Sequence, residues 1–98
     1  MRFEKIEFSN KTAEGYVFEF QNVNMVFAKT SDAFIGCGLF NPKAFDNFSI
    51  PAAIIKGQTG AISTINDLLS GTVKEANETA SKKGVIVGMN AKKALELM

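Results

Sequence analysis

The first forty residues carry the pattern that most constrains the fold: apolar residues, many of them aromatic, alternate with polar ones in consecutive short segments. The pattern runs through Arg2–Phe8, Gly15–Gln21 and Val23–Lys29 and then enters the segment that contains Cys37. Alternation with a period of two is typical of strands that bury one face. Because only short turns separate the segments, neighbouring strands have to run antiparallel. We therefore predict an antiparallel meander of about four strands.

From Asn41 onward the sequence favours short helices that alternate with short strands. Asn41 followed by Pro42 predicts an N-cap and a first helical residue. Thr64 with Asp67 three residues later predicts an acidic form of the capping box. Asn90 predicts the N-cap of a terminal helix that has one apolar face.

Between these helices the sequence predicts two further strands and one longer helix. The apolar run Ala52–Ile55 predicts a buried interior strand, and Val85–Val87 predicts another. Thr72 with Glu75 predicts a capping box and a helix that extends to Lys83. Residues 1–98 are therefore expected to form a single α+β domain, a two-layer sandwich. Its mixed sheet has about six strands and carries the helices mainly on one face.

Composition argues against several classes of protein. The chain has 98 residues, and its 11 basic and 10 acidic residues give a net charge of +1, too little positive charge for a nucleic-acid surface. No apolar run approaches the roughly 18 residues of a membrane span. With no histidine and one cysteine, we expect no metal site, no cofactor and no internal disulfide. A single thiol fits a cytoplasmic location.

Cys37, between Gly36 and Gly38, is the residue that most resembles a reactive group. It precedes the predicted start of a helix at Asn41, and the positive end of a helix can lower the pKa of a thiol. The alternative is that Cys37 is a small hydrophobic residue of the core. The absence of histidine, which would act as its base, favours this alternative.

A second candidate surface is the place where helix N-termini and glycine turns are expected to converge. Free N–H groups at such positions bind carboxylates or phosphates. The glycines could equally serve only to form turns. The residues that we assign to a ligand site are Cys37, Gly38, Asn41, Gly57, Gly60, Thr64, Asp67, Gly88 and Asn90.

Four segments together resemble the YunC-like family of small uncharacterised prokaryotic domains. They are AEGYVFEF (residues 13–20), FIGCGLFN (34–41), STINDLLSG (63–71) and GVIVGMNAKKALELM (84–98). The residues that match the pattern of the family by position are Cys37, Gly38, Thr64, Asp67, Leu68, Leu69, Gly88 and Met89. Asn66 departs from it, because an acidic residue is expected there. The resemblance implies a compact α/β sandwich and no established activity.

These observations favour a non-catalytic binding or assembly module that holds a small anionic ligand. The alternative is a small enzyme or thiol-based regulator that uses Cys37, with Asp67 or Asp46 orienting a substrate. The chain has nine phenylalanines, and all of them lie within its first 48 residues. Short helices cannot cover both faces of such a sheet, so we expect a homodimer or small homo-oligomer that buries the excess aromatic surface.

Overall fold

The computed structural model describes residues 2–98, which form one six-stranded sheet and four short helices. The strands are β1 (Arg2–Glu7), β2 (Thr12–Phe20), β3 (Val23–Lys29), β4 (Phe34–Gly36), β5 (Ala52–Lys56) and β6 (Thr72–Ala76). The helices are α1 (Pro42–Asp46), α2 (Ile65–Leu69), α3 (Glu78–Ser81) and α4 (Ala91–Leu97). Strand order follows chain order, and all neighbours are antiparallel except β4 and β5. The predicted α+β fold with an antiparallel meander and a mixed sheet is confirmed.

One face of the sheet packs against α2 and α4. Helix α2 contacts β2 and β3, and α4 contacts β4 and β6. The core between the two layers is formed by apolar side chains that alternate along the strands and line the inner sides of the helices. The largest that are fully buried are Val17, Val26, Ile35, Ile55, Leu68, Val73, Val85 and Leu95.

The opposite face carries a row of aromatic rings that crosses four strands. The ring centroids of Phe3 and Tyr16 are 5.3 Å apart, those of Tyr16 and Phe27 are 5.1 Å apart, and those of Phe27 and Phe34 are 5.6 Å apart. Phe45 of α1 stacks on Phe34 at 4.7 Å, so α1 lies on this face. We call this surface the aromatic face; it comprises Phe3, Tyr16, Phe18, Phe20, Val23, Met25, Phe27 and Phe34.

Gly36 allows the aromatic rings to cover the end of β4. A Cβ atom at Gly36 would lie 2.7 Å from the Phe40 ring and 2.8 Å from the Phe34 ring, which is too close for any side chain. Phe40 also packs edge-on against Phe27 and Phe34. The glycine in this strand therefore permits the close approach of an aromatic ring.

The predicted helix from Thr72 to Lys83 is wrong. Thr72–Ala76 is β6, which pairs antiparallel with β5, and only Glu78–Ser81 is helical. The spacing of small residues in this segment suits a helix, but pairing with the exposed edge of β5 buries Val73 against the core. Tertiary pairing overrides the local preference here.

Two further predictions about strands also need correction. Val85–Val87 is not a strand, because Gly84 and Gly88 adopt positive φ angles of 98° and 94° and turn the chain on both sides of it. Strand β4 ends at Gly36, so Cys37 directly follows the strand instead of lying within it. Both segments are too short for their apolar pattern to decide the conformation.

The side chain of Asn77, which is only 2% exposed, joins three elements. Its Oδ1 accepts the N–H of Ala52, at the start of β5, and the N–H of Ala80 in α3, at 3.1 and 2.8 Å. Its Nδ2 donates to the carbonyls of Pro42 and Ile50, at 3.0 and 2.9 Å. All four hydrogen-bonding positions of the amide are therefore used within the protein.

Two carboxylates cap helices and are held in their charged form. Asp46 accepts hydrogen bonds from the Thr79 hydroxyl and the N–H groups of Thr79 and Glu78, at 2.8–3.2 Å. Desolvation raises the pKa of Asp46, but these hydrogen bonds outweigh it and lower the pKa below its usual 3.8. For Asp67 the hydrogen bond from the Ser63 N–H is the main cause of a pKa that also lies below 3.8.

We expect the stability of the fold to fall when the pH drops below 3.8. A carboxylate whose pKa is lower in the folded than in the unfolded chain stabilises the fold at pH values above its pKa in the unfolded chain. That contribution is lost as the pH falls through the lowered folded values. Urea unfolding at several pH values should show a smaller loss for the Asp46→Asn/Asp67→Asn variant than for the wild type. The exposed Asp32→Asn change serves as the control, and equal pH dependence of all three proteins would contradict this assignment.

Candidate functional site

Cys37 lies at the point where β4 ends and the chain turns towards α1. Its N–H donates to the Val26 carbonyl at 3.0 Å, and its carbonyl accepts the Phe40 N–H at 3.3 Å. The residue is 6% exposed and belongs to the same core cluster as Ile35 and Ile55. The prediction that Cys37 is largely buried is confirmed.

A pocket of about 210 Å³ opens beside Cys37. We call it the Cys37 pocket; its walls come from the end of β4, the end of β5, the following loop and β6. The pocket is lined by Cys37, Gly38, Ile55, Lys56, Gly57, Gly60, Ala61, Ile62 and Lys74. It therefore brings together four of the nine predicted site residues, namely Cys37, Gly38, Gly57 and Gly60.

The loop of residues 57–62, which we call the glycine loop, forms one wall of this pocket. A Cβ atom on Gly57 would collide with the carbonyl oxygen of Gly60, and Gly60 itself has a φ of 138°. These two positions need glycine because the loop turns back on itself so tightly. Two loop residues that line the pocket, Gly60 and Ala61, are exposed, and their N–H groups donate to no other backbone group within residues 2–98. They are consequently available to an acceptor from outside the protein.

Asp67 lies on the other side of the same loop. A small cavity of about 50 Å³ there is lined by Asp67, Ser70 and the glycine loop. The carboxylate of Asp67 accepts the N–H groups of Ser63 and Thr64, at 3.1 and 3.2 Å. Its role in the structure is to complete the capping box of α2, which confirms the predicted Thr64–Asp67 box.

The other predicted site residues, Asn41, Thr64, Gly88 and Asn90, do not line the Cys37 pocket. Asn41, Thr64 and Asn90 are the N-caps of α1, α2 and α4, as predicted. Each side-chain oxygen accepts the N–H of a residue two or three positions later, at 3.0–3.1 Å. The Gly88 N–H donates to the Val73 carbonyl at 2.8 Å. These helix starts therefore use part of their donor capacity within the chain.

Lys56 and Lys74 are the charged residues of the pocket, and the sequence does not predict either of them as a site residue. Lys56 ends β5, Lys74 lies in β6, and both are exposed. Neither lysine forms an ion pair within residues 2–98, where the ion pairs join Arg2 to Glu19 and Lys29 to Glu14. Because the sequence predicts a helix from Thr72 to Lys83, it does not place Lys74 beside Cys37. The antiparallel pairing of β5 and β6 is what brings the two lysines to one pocket.

A larger cavity of about 500 Å³ lies between the β3–β4 turn, α1 and α3. No predicted site residue lines it, and three of its polar side chains are paired within the chain. Thr30 accepts the N–H of Ala33, Thr79 donates to Asp46, and Lys29 is paired with Glu14. Its lining also includes an acidic residue, Asp32, whereas the lining of the Cys37 pocket includes none, so the Cys37 pocket suits an anion better.

The fold and the pocket define a small α+β protein of a known class whose activity is not established. A family model described as "Domain of unknown function (DUF1805)" matches residues 36–98, well over half of the chain. This chain belongs to that family. The matched region includes all nine predicted site residues, whereas β1–β3, with most of the aromatic face, lie before it.

A solved structure shares the fold. The crystal structure of a protein of unknown function, TA1206 from Thermoplasma acidophilum, is similar with a TM-score of 0.84 and 23% sequence identity. The similarity covers 97% of this chain and 89% of that chain. At this identity the likeness shows the fold alone. A comparison with curated proteins found no match.

Two further features bear on the class of protein. Within residues 2–98, no helix is both long and apolar enough to cross a membrane. No group of three or more His, Cys, Asp or Glu side chains in the same described range could hold a metal ion.

Proposed function

We propose that this chain is a non-catalytic binding module that holds a small anion, such as a phosphate or carboxylate group, in the Cys37 pocket. The observation that carries this proposal is the convergence of Lys56, Lys74 and the glycine loop on one concave site. The two lysines supply positive charge, and Gly60 and Ala61, which line the same pocket, have N–H groups that donate to no other backbone group within residues 2–98. This combination is typical of sites that bind oxyanions through backbone N–H groups.

The lysines support an anionic ligand because no carboxylate neutralises them within residues 2–98. The acidic group nearest in the chain to the glycine loop, Asp67, is engaged with the amides of Ser63 and Thr64. The helix starts were also predicted to take part, but their capping side chains already accept N–H groups there. The loop amides are thus better placed for the ligand than the helix ends.

A thiol-based enzyme or regulator is the second candidate, because Cys37 borders the same pocket as two lysines. A nearby cation favours the thiolate, which is the nucleophilic form. Against this stand the 6% exposure of Cys37 and the absence of histidine from the sequence. A buried thiol without a base serves packing better than nucleophilic attack.

We expect inorganic phosphate to bind to the wild-type protein and to bind about tenfold more weakly, or worse, to Lys56→Gln/Lys74→Gln. Each lost charge-assisted hydrogen bond removes part of the binding free energy, while glutamine keeps the length of the side chain. Isothermal titration calorimetry at low ionic strength measures the two dissociation constants.

The matched control is Lys92→Gln/Lys93→Gln, which removes the same charge from the exposed side of α4. It should bind phosphate like the wild type, apart from a small general effect of net charge. Equal weakening by both double variants, or no binding by the wild type, would contradict the proposed anion site.

We also propose that the chain functions in the cytoplasm and is related to the YunC-like domains. A lone buried cysteine suits a reducing compartment. The matched positions Cys37, Gly38, Thr64 and Asp67 lie within the region that the family model covers, which supports the closer kinship. Measuring the fraction of the protein in membrane-free cell extract tests the location.

A further inference from the structure

The cavity of about 500 Å³ between the β3–β4 turn, α1 and α3, which we call the α1–α3 cavity, has an apolar lining on part of its surface. Phe34 and Phe45, whose ring centroids are 4.7 Å apart, both line it. The other apolar residues of the lining are Ala33, Ile50 and Pro51. A volume of this size, with aromatic residues and a few polar groups in the lining, is typical of pockets that hold small molecules.

Two opposite charges line the same cavity and have no charged partner within the chain. Asp32 belongs to the β3–β4 turn, and Lys83 follows α3, so they come from two different walls. Neither forms an ion pair within residues 2–98. The third charged residue of the lining, Lys29, is already paired with Glu14 at 3.0 Å. The cavity therefore offers a ligand one negative and one positive residue beside an apolar surface.

The walls of the cavity are bonded to one another. The Asp46 carboxylate of α1 accepts the hydroxyl and the N–H of Thr79 in α3, at 2.8 and 3.1 Å. The Phe34 N–H in β4 donates to the carbonyl of Pro51 at 3.0 Å. A pocket whose walls are fixed before a ligand enters loses less conformational entropy on binding.

We propose that the α1–α3 cavity is a further ligand site, which takes a small zwitterion with an apolar body, such as an α-amino acid with an aromatic side chain. The apolar body packs against Phe34 and Phe45, the ammonium pairs with Asp32, and the carboxylate pairs with Lys83. This site is separate from the anion site, because no residue lines both the α1–α3 cavity and the Cys37 pocket.

Other small molecules suit this cavity less well. An anion is attracted by Lys83 but repelled by Asp32, and a cation meets the reverse arrangement. An uncharged apolar molecule would use the aromatic residues and leave both charges without a partner. A zwitterion satisfies both charges, and an aromatic ring gains stacked or edge-on contacts with Phe34 and Phe45.

Amide NMR titration of the wild-type protein with three related probes tests the proposal. L-phenylalanine carries both charges, phenethylamine lacks the carboxylate, and 3-phenylpropionate lacks the ammonium. Phenylalanine should cause saturable shifts that are largest for residues 31–34, 45–51 and 79–83. It should also bind about tenfold more tightly than either analogue, because each analogue loses one charge-assisted contact.

Two variants assign the two charges separately. Lys83→Gln should weaken the binding of phenylalanine and phenylpropionate about tenfold and should not weaken that of phenethylamine. Asp32→Asn should weaken the binding of phenylalanine and phenethylamine by a similar factor and should not weaken that of phenylpropionate. The control Lys82→Gln removes the neighbouring charge, which does not line the cavity, and it should bind all three probes like the wild type.

Three results would overturn the proposal. The first is a wild type that shows no saturable binding of phenylalanine, or shifts that lie outside the cavity. The second is an analogue that binds as tightly as phenylalanine. The third is equal weakening by Lys83→Gln and Lys82→Gln, since the effect would then come from net charge alone. None of these results bears on phosphate binding in the Cys37 pocket, so the two sites stand or fall separately.

Discussion

Replacing Asn77 with alanine should lower the free energy of unfolding by about 3–5 kcal/mol. The change removes four hydrogen bonds at once and leaves the N–H of Ala52 and the carbonyls of Pro42 and Ile50 without their partner. Each buried polar group left unpaired costs about 1–3 kcal/mol, and the N-cap of α3 is lost too. Urea unfolding followed by circular dichroism measures the loss.

The exposed Asn66→Ala change is the matched control, and it should alter the stability by no more than about 0.5 kcal/mol. Asn77→Asp tests the acceptor oxygen and the donor nitrogen of the amide separately. It keeps an acceptor for Ala52 and Ala80 but loses both donors and places a charge against the carbonyls of Pro42 and Ile50. We expect Asn77→Asp to be strongly destabilised at neutral pH. Wild-type stability in either Asn77 variant would show that this network does not hold β5, α1 and α3 together.

Cys37→Ser should lower the free energy of unfolding by about 1–3 kcal/mol and leave phosphate binding unchanged. The thiol packs among apolar core residues, and a hydroxyl there lacks a hydrogen-bond partner. The lysines and loop amides that we assign to the anion do not depend on the sulfur atom. Thermal or urea unfolding measures the first effect, and calorimetry with phosphate measures the second.

Cys37→Ala is the appropriate control, because it removes the thiol without introducing a polar group. Its loss of stability should be smaller than that of Cys37→Ser. If both variants unfold like the wild type while phosphate binding disappears, Cys37 contacts the ligand and the thiol-based alternative gains support. Rapid alkylation of Cys37 by iodoacetamide in the folded protein would also support the thiol-based alternative.

The helix starts could be predicted from the sequence because capping is a local interaction. Asn41, Thr64 and Asn90 each bond to an amide two or three residues later, and no distant contact is needed to explain their choice. The strands of the meander follow from alternation for a similar reason. The turn between β2 and β3 has a positive φ at Gln21, a detail that alternation does not predict.

The errors fall where distant contacts decide the structure. Residues 72–76 have the spacing of a helix but become a strand, because the edge of β5 offers them hydrogen bonds and buries Val73. Because the predicted helix runs through Asn77, this residue was not recognised as an N-cap, although it lies three residues before Ala80, whose N–H it accepts. Pattern alone carries no information about which strand edge remains free.

In the Cys37 pocket, too, the local features could be predicted from the sequence and the distant contacts could not. The glycines and the cysteine could be recognised by their residue types, and four of the nine predicted residues do meet there. Lys56 and Lys74 join them only through the parallel pairing of β4 with β5 and the antiparallel pairing of β5 with β6. The sequence therefore indicated the loop but not the charges that now support an anionic ligand.

The most direct test of the anion site is an amide NMR titration of the wild-type protein with inorganic phosphate. Our account predicts saturable shifts that are largest for Gly60, Ala61, Cys37 and Gly38, and that vanish in Lys56→Gln/Lys74→Gln. Shifts centred on the first residues of α1, α2 and α4 instead, or no saturable shift anywhere, would contradict the account.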